Sequence, residues 1–261
     1  MHDLPEVPSQ RELKFIGDLA RDVLPEDPTP SLEEIAAQPD VRHLGAPKPA
    51  PQRPSEALRL VVMGTDAACS AVLTRLMRSD TCWIQLAYVP DAPGSTAAQL
   101  VGTRIDAACN PASPVRPAPL IRDDAGVAVT GSAEVLDWDN GEVTAEIIVD
   151  DEVLLRHEAA ATPPQVGVFG ARLVPTPDAP GLAATTYVTS PVAPAPIPLW
   201  SRVFGKRPAP LGRLDADRLL TGRALQAGGA NLKVMVDGVA RKRTVDRATF
   251  YRHLRDAQWV G

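Results

Sequence analysis

Residues 58–76, LRLVVMGTDAACSAVLTRL, join an unbroken apolar run to a Gly-Thr-Asp turn and then to an amphipathic repeat. Leu58–Met63 has the composition of a strand buried on both faces. Thr65 or Asp66 suits the cap of the following helix, whose Val72, Leu73, Leu76 and Met77 share one apolar face. A second apolar run, Trp83–Val89, comes after that single helix, which predicts a parallel strand pair joined by a right-handed crossover. The segment PDAPGST (90–96) then forms a second turn, with a short helix from Thr96 to about Val101. In open parallel sheets, ligands sit where loops leave the carboxyl ends of the strands, so both turns belong there, side by side. A strand–turn–helix unit also aims free backbone N–H groups at an anion, most often a phosphate.

The rest of the chain limits what such a unit serves. At 261 residues there is room for one large domain or two small ones. Only eleven residues are aromatic (4 Trp + 3 Tyr + 4 Phe), so Ala, Val and Leu must fill the core. Cys69, Cys82 and Cys109 form no CxxC pair, which argues against a disulfide framework or zinc site and for a reducing cytoplasm. The opening MHDLPEVPSQRE is acidic and broken by proline, unlike a signal peptide, and no apolar run approaches a membrane span. These features predict a cytoplasmic protein with no transmembrane segment and no nucleic-acid partner. Charge is uneven: residues 200–261 carry thirteen Lys/Arg and five Asp/Glu (+8), residues 1–199 fourteen and twenty-seven (−13). The basic part can face a nucleotide, an anionic phospholipid or the acidic body itself; internal pairing is favoured.

Three regions follow. Residues 1–57 are an N-terminal helical and Pro-rich extension: Leu13, Ile16, Leu19, Ala20 and Val23 mark an amphipathic helix. Ser31-Leu-Glu-Glu34 is a capping box opening a second helix, and GAPKPAPQRP (45–54) is an extended linker. Such short helices must dock, either as a brace on the chain itself or as an arm holding a protein partner. Residues 58–110 form a truncated α/β subdomain, and residues 111–261 a β-sandwich-like domain. In the latter, strands are predicted at 127–130, 133–136, 142–149, 153–157, 183–188, 218–227 and 231–236. Asn140-Gly141 signals a hairpin, and Asp150-Asp151 another tight turn. A proline-rich loop, 191–210, carries Trp200, Arg202, Phe204, Lys206 and Arg207; a structured crossover with Trp200 as a plug is favoured, and aromatic groups beside cations make peripheral membrane contact the alternative.

At this point the residues resemble the diacylglycerol kinase, sphingosine kinase and NAD kinase superfamily. Its central motif is a strand, Gly-Gly-Asp-Gly-Thr and a helix; here Met-Gly-Thr-Asp-Ala-Ala stands there, with Gly64 and Asp66 matching and Thr65, Ala67 and Ala68 departing. The family's Pro-x-Gly-Thr-x-Asn-Asp is met by Val89-Pro90, an insertion and Gly94-Ser95-Thr96-Ala97-Ala98, so Ala-Ala replaces the Asn-Asp pair. Val236-Asp237-Gly238 is similar to the family's Asp-Gly strand end, and Arg247–His253 to a divergent actinobacterial diacylglycerol-kinase-like branch. The resemblance covers residues 58–261; the usual Asn-Pro-x-x-Gly phosphate turn has no counterpart in residues 1–57.

The resemblance implies a parallel-sheet nucleotide-binding subdomain followed by an antiparallel sandwich. It implies Gly64, Thr65, Asp66, Gly94, Ser95 and Thr96 as ATP-binding residues, with Asp66 as catalytic residue and Mg²⁺ ligand. The departures weaken that chemistry, because alanine in place of glycine restricts backbone approach to an anion, and phosphoryl transfer depends on Mg²⁺ and positioned charge. The expectation is therefore a catalytically degenerate, pseudokinase-like protein binding a nucleotide or phospholipid phosphate. The alternatives are an active Mg-ATP-dependent lipid kinase and a non-enzymatic protein-interaction module using residues 1–57. Other candidates are bland: the carboxylate pairs Asp123/Asp124 and Asp150/Asp151 sit in turns. His157-Glu158 begins an HExxH pattern whose second histidine is replaced by Ala161. Arg241, Lys242, Arg243, Arg247, Arg252, His253 and Arg255 suit phosphate contact and pairing with acidic neighbours about equally.

Overall fold

The computed structural model describes residues 1–24, 29–37, 45–160, 164–192 and 210–261. The first half runs α1 (Phe15–Val23), α2 (Leu32–Ala36), β1 (Arg59–Gly64), α3 (Asp66–Arg78), β2 (Gln85–Pro90), α4 (Thr96–Val101) and α5 (Ile105–Cys109). Short strands follow: β3 (Val115–Ala118), β4 (Ile121–Asp123), β5 (Ala128–Val129), β6 (Ala133–Asp137), β7 (Thr144–Val149) and β8 (Glu152–His157). The last are β9 (Gly170–Pro175), β10 (Leu182–Thr186), β11 (Leu220–Gly222), β12 (Ala224–Val236), β13 (Val239–Ala240), β14 (Val245–Arg252) and β15 (Ala257–Val260).

Two sheets result, one mixed and largely parallel, the other antiparallel, as expected for an α/β plus all-β chain. The first has the order β1-β2-β15-β3: β1, β2 and β15 are parallel, and β3 closes the edge antiparallel to β15. It therefore draws strands from both sides of the expected 110/111 division. The second contains eleven strands, with β12 at its centre. One half of this thirteen-residue strand pairs with β7, the other half with β6, and the register shifts between Gly228 and Leu232. Ile147, Val149, Leu154 and Leu155 of β7–β8 thereby meet Ala171, Leu173, Leu182 and Ala184 of β9–β10 in one apolar core.

Asn140-Gly141 makes its turn, with Asn140 at φ 63°, but β6 and β7 do not form a hairpin. Both lie against β12 instead, since its length satisfies two successive strands on one edge. Asp150 turns β7 into β8 as expected, its carboxylate accepting the N–H groups of Arg223 and Ala224. The run 218–227, expected as one strand, is divided into β11 and β12, and β12 runs on through the separately expected 231–236; periodicity does not predict β3, β4, β9, β13, β14 or β15.

The N-terminal arm is docked on α3: Leu13, Ile16 and Ala20 are buried in a second core with Leu73, Leu76 and Met77. Ser31 forms the expected capping box with Glu34. Residues 45–54 have no helix or strand and are tied to the C-terminal part, where the Gly45 carbonyl accepts from Arg252 and the Lys48 N–H donates to Asp256. No helix among the described residues is long and apolar enough to cross a membrane. Ala161 and the Trp200–Arg207 part of the proline-rich loop lie outside the described residues.

Candidate functional site

Strand β1 ends at Gly64, whose φ of +147° suits glycine, and the chain turns directly into α3. Thr65, not Asp66, is the cap: its hydroxyl accepts from the Ala68 N–H at 3.1 Å. Asp66 is thus the first helical residue, and its side chain points across to the second turn. There Oδ1 accepts from the Tyr88 hydroxyl at 2.7 Å and the Ser95 hydroxyl at 2.6 Å, while Oδ2 accepts from the Ala97 N–H at 3.1 Å. Ser95 also caps α4 by accepting from the Ala98 N–H. The two turns lie side by side, as the parallel pairing of β1 and β2 requires, and Asp66 is the stitch between them. Gly94 contributes its carbonyl to Gln99 and is otherwise exposed.

A second carboxylate completes the cluster from the antiparallel sheet. Asp237 turns β12 into β13 at φ 47°, and its carboxylate collects three successive backbone N–H groups: Thr130 at 2.8 Å, Gly131 at 2.7 Å and Ser132 at 2.9 Å. Gly131 is packed so tightly that a Cβ there would stand 2.6 Å from the Ala97 nitrogen and 3.0 Å from Asp237 Oδ1. The loop 130–132 is thus pressed between the two carboxylates, with Ala97 donating to one and Gly131 to the other. Arg172 of β9 adds a guanidinium, which donates to the hydroxyls of Thr96 and Ser132. It makes no ion pair among the described residues, although Glu134 stands opposite it on β6 and accepts from the Tyr187 hydroxyl at 2.6 Å.

Burial sets the protonation of this cluster. It pushes Asp237 up to about 6, against the pull of its three N–H donors and helped by the Asp66 charge. Tyr88 is raised by burial and by its bond to Asp66, so its phenol stays a donor. Burial also raises the Cys69 thiol, which beside two carboxylates is no nucleophile.

The remaining candidates are occupied structurally. Arg241 pairs with Asp123 at 2.8 Å and with Asp124; Arg252 pairs with Asp256 at 2.8 Å; Arg255 reaches Asp80 at 3.6 Å. Pairing of basic residues with acidic neighbours therefore accounts for these three. His157 stands 3.3 Å from Glu142, which accepts the N–H groups of Ala160 and Val168. A cavity of about 260 Å³ lies beside the Asp237 turn, bounded by Ala67 and Ser70 of α3, Val7 and Gln10 of the arm, and Val239 and Arg241.

Periodicity and motif spacing located the Asp66 and Ser95 turns, but not what joins them. Arg172 and the 130–132 loop carried no sequence signal, and Tyr88 looked like an ordinary strand residue. Asp237-Gly238 is visible in the sequence as a strand end resembling the family's Asp-Gly, without its link to the 130–132 loop.

Oδ1 of both Asp66 and Asp237 already accepts two hydrogen bonds, and no group of three or more His, Cys, Asp or Glu among the described residues is arranged to hold a metal.

No protein-family model matches the chain, and no curated protein does. Among solved structures it is similar to an NAD kinase from Archaeoglobus fulgidus in complex with ATP, at 12% identity over 78% of this chain and 77% of that one, TM-score 0.43. It is similar to a diacylglycerol kinase from Bacillus anthracis str. Sterne, at 12% identity over 77% of each chain, TM-score 0.47. It is also similar to yeast NADH kinase complexed with NADH, at 13% identity over 98% of this chain and 81% of that one, TM-score 0.46.

Proposed function

We propose that this chain is a divergent, catalytically degenerate protein of the lipid and NAD kinase type that binds a phosphate-bearing ligand, nucleotide or phospholipid, where its two sheets meet. The observation that carries the reading is the engagement of Asp66, three of whose roughly four acceptor sites are taken up within the chain. A carboxylate that accepts two hydroxyl groups and a backbone N–H is a structural tie: a general base needs a free lone pair aimed at the proton it removes. Phosphoryl transfer also depends on concentrated positive charge, and among the described residues Arg172 is the guanidinium beside the two carboxylates, held by the hydroxyls of Thr96 and Ser132. The hydroxyl groups of Thr96 and Ser132 with Arg172 are the groups suited to a phosphate.

The buried face of the N-terminal arm supports its role as a brace rather than as a partner-holding arm. The test is calorimetric titration with Mg-ATP and with vesicles containing an anionic phospholipid, beside assays of phosphate transfer to diacylglycerol and to NAD. Binding of one ligand without transfer is expected. Mg²⁺-dependent transfer that Asp66→Asn abolishes would replace this reading with an active kinase. Heat from neither ligand would remove the phosphate-binding part of it.

A further inference from the structure

Three consecutive backbone N–H groups converging on one point make an anion-binding concavity. In this chain that point is filled by the chain's own Asp237. The occupant gives up its charge more readily than a free carboxylate does, because burial raises its carboxyl to about 6. It sits on the two-residue turn Asp237-Gly238, where Gly238 and the β13 residues Val239 and Ala240 that follow are exposed. On the other side of the loop, Ser132 offers its hydroxyl to Arg172, a cation with no carboxylate within ion-pair distance among the described residues.

Resting on the phosphate-binding reading above, we propose that the Thr130–Ser132 loop, flanked by Arg172, is the seat of the ligand's phosphate group, and that Asp237 is a built-in pseudo-ligand which the phosphate displaces. A phosphate suits the seat better than a carboxylate does, since a third oxygen remains for the Ser132 hydroxyl and the guanidinium behind it. Displacement swings the β12–β13 turn outward, toward the cavity bounded by Val239 and Arg241. The chain thus holds its own anion in the seat until a stronger one arrives.

The experiment compares the wild-type protein with Asp237→Ala and Asp237→Asn in chloride buffer, with inorganic phosphate as probe and thermal unfolding and calorimetry as readouts. Asp237→Asn guards against loss of folding, because asparagine tolerates the left-handed turn conformation. With the pseudo-ligand removed or neutralised, phosphate should bind at least tenfold more tightly than to the wild type and raise the melting temperature. Adding Arg172→Gln to the same background should weaken that binding at least fivefold. Either folded variant remaining as indifferent to phosphate as the wild type overturns the proposal, as does a phosphate response unaffected by Arg172→Gln. Titrating the wild type with ATP and with phosphatidic acid vesicles separates the two claims. Ligand binding by the wild type without a phosphate response in the variants leaves the general reading standing and removes this seat. A phosphate response without ligand binding does the reverse.

Discussion

Asp237 allows an electrostatic argument to be tested by number. Its carboxyl moves from an ordinary value near 3.8 to about 6 on folding, chiefly through burial. Between those limits the folded chain holds a proton that the unfolded chain has released. The unfolded state then binds fewer protons, so stability falls as pH rises and is regained as pH drops from about 6 toward 4. Each pH unit in that interval is worth about 1.4 kcal/mol, which makes the full effect about 3 kcal/mol. Asp237→Asn removes the titration while keeping a side chain that tolerates the turn. Urea unfolding of both proteins from pH 8 to pH 4 isolates the group with its coupling to Asp66, because the titrations of groups distant from it cancel in the difference. The wild type should gain about 3 kcal/mol relative to the variant on acidification, nearly all of it below pH 6. A difference that is flat, or that grows with rising pH, refutes the reasoning. It would mean that the three N–H donors outweigh burial and hold the carboxyl below its ordinary value.

His253 should behave in the opposite way. Burial, with Arg122 and Arg255 nearby, lowers it to about 4, so wild-type stability relative to His253→Gln should drop by about 3 kcal/mol as pH falls from 6.5 to 4, measured by the same unfolding series. Gly131→Ala puts a methyl group 2.6 Å from the Ala97 nitrogen and should cost about 1–3 kcal/mol in urea unfolding. Thr65→Ala removes the cap of α3 and should cost about 1 kcal/mol by the same measurement. Leu13→Ala empties a fully buried site under the arm; a loss of about 2–5 kcal/mol would identify the arm as a brace, and an unchanged midpoint would show that it does not hold α3.

Local pattern revealed the parts of this fold whose partners are near in sequence. The β1–α3–β2 unit, the Ser31 capping box and the Asp150 turn all follow from residues within one unit of structure, where apolar period and cap chemistry act directly. What periodicity could not reveal depends on distant pairing. Residues 133–136 and 144–149 alternate as strands anywhere would, and nothing local says that both will share β12 instead of each other. The four residues of β15 are too few to show a period, although all are buried. The site divides in the same way: Asp66 and Ser95 were visible as turn residues. Arg172 became a member only because β9 passes beside α4, a consequence of sheet order.

The order of the first sheet has a consequence for how the chain comes to be folded. β15 stands between β2 and β3, so the strand with the highest residue numbers is the wedge that joins the two halves of that sheet. During ribosomal synthesis, β1 and β2 must wait as an open pair while about 170 residues emerge, and the sheet closes only when residues 257–260 arrive. Over that interval the apolar edge of β2 is available to wrong partners. Loss of residues 257–260 would return the folded protein to the same open condition. Cellular lifetime should therefore be unusually sensitive to changes in β15.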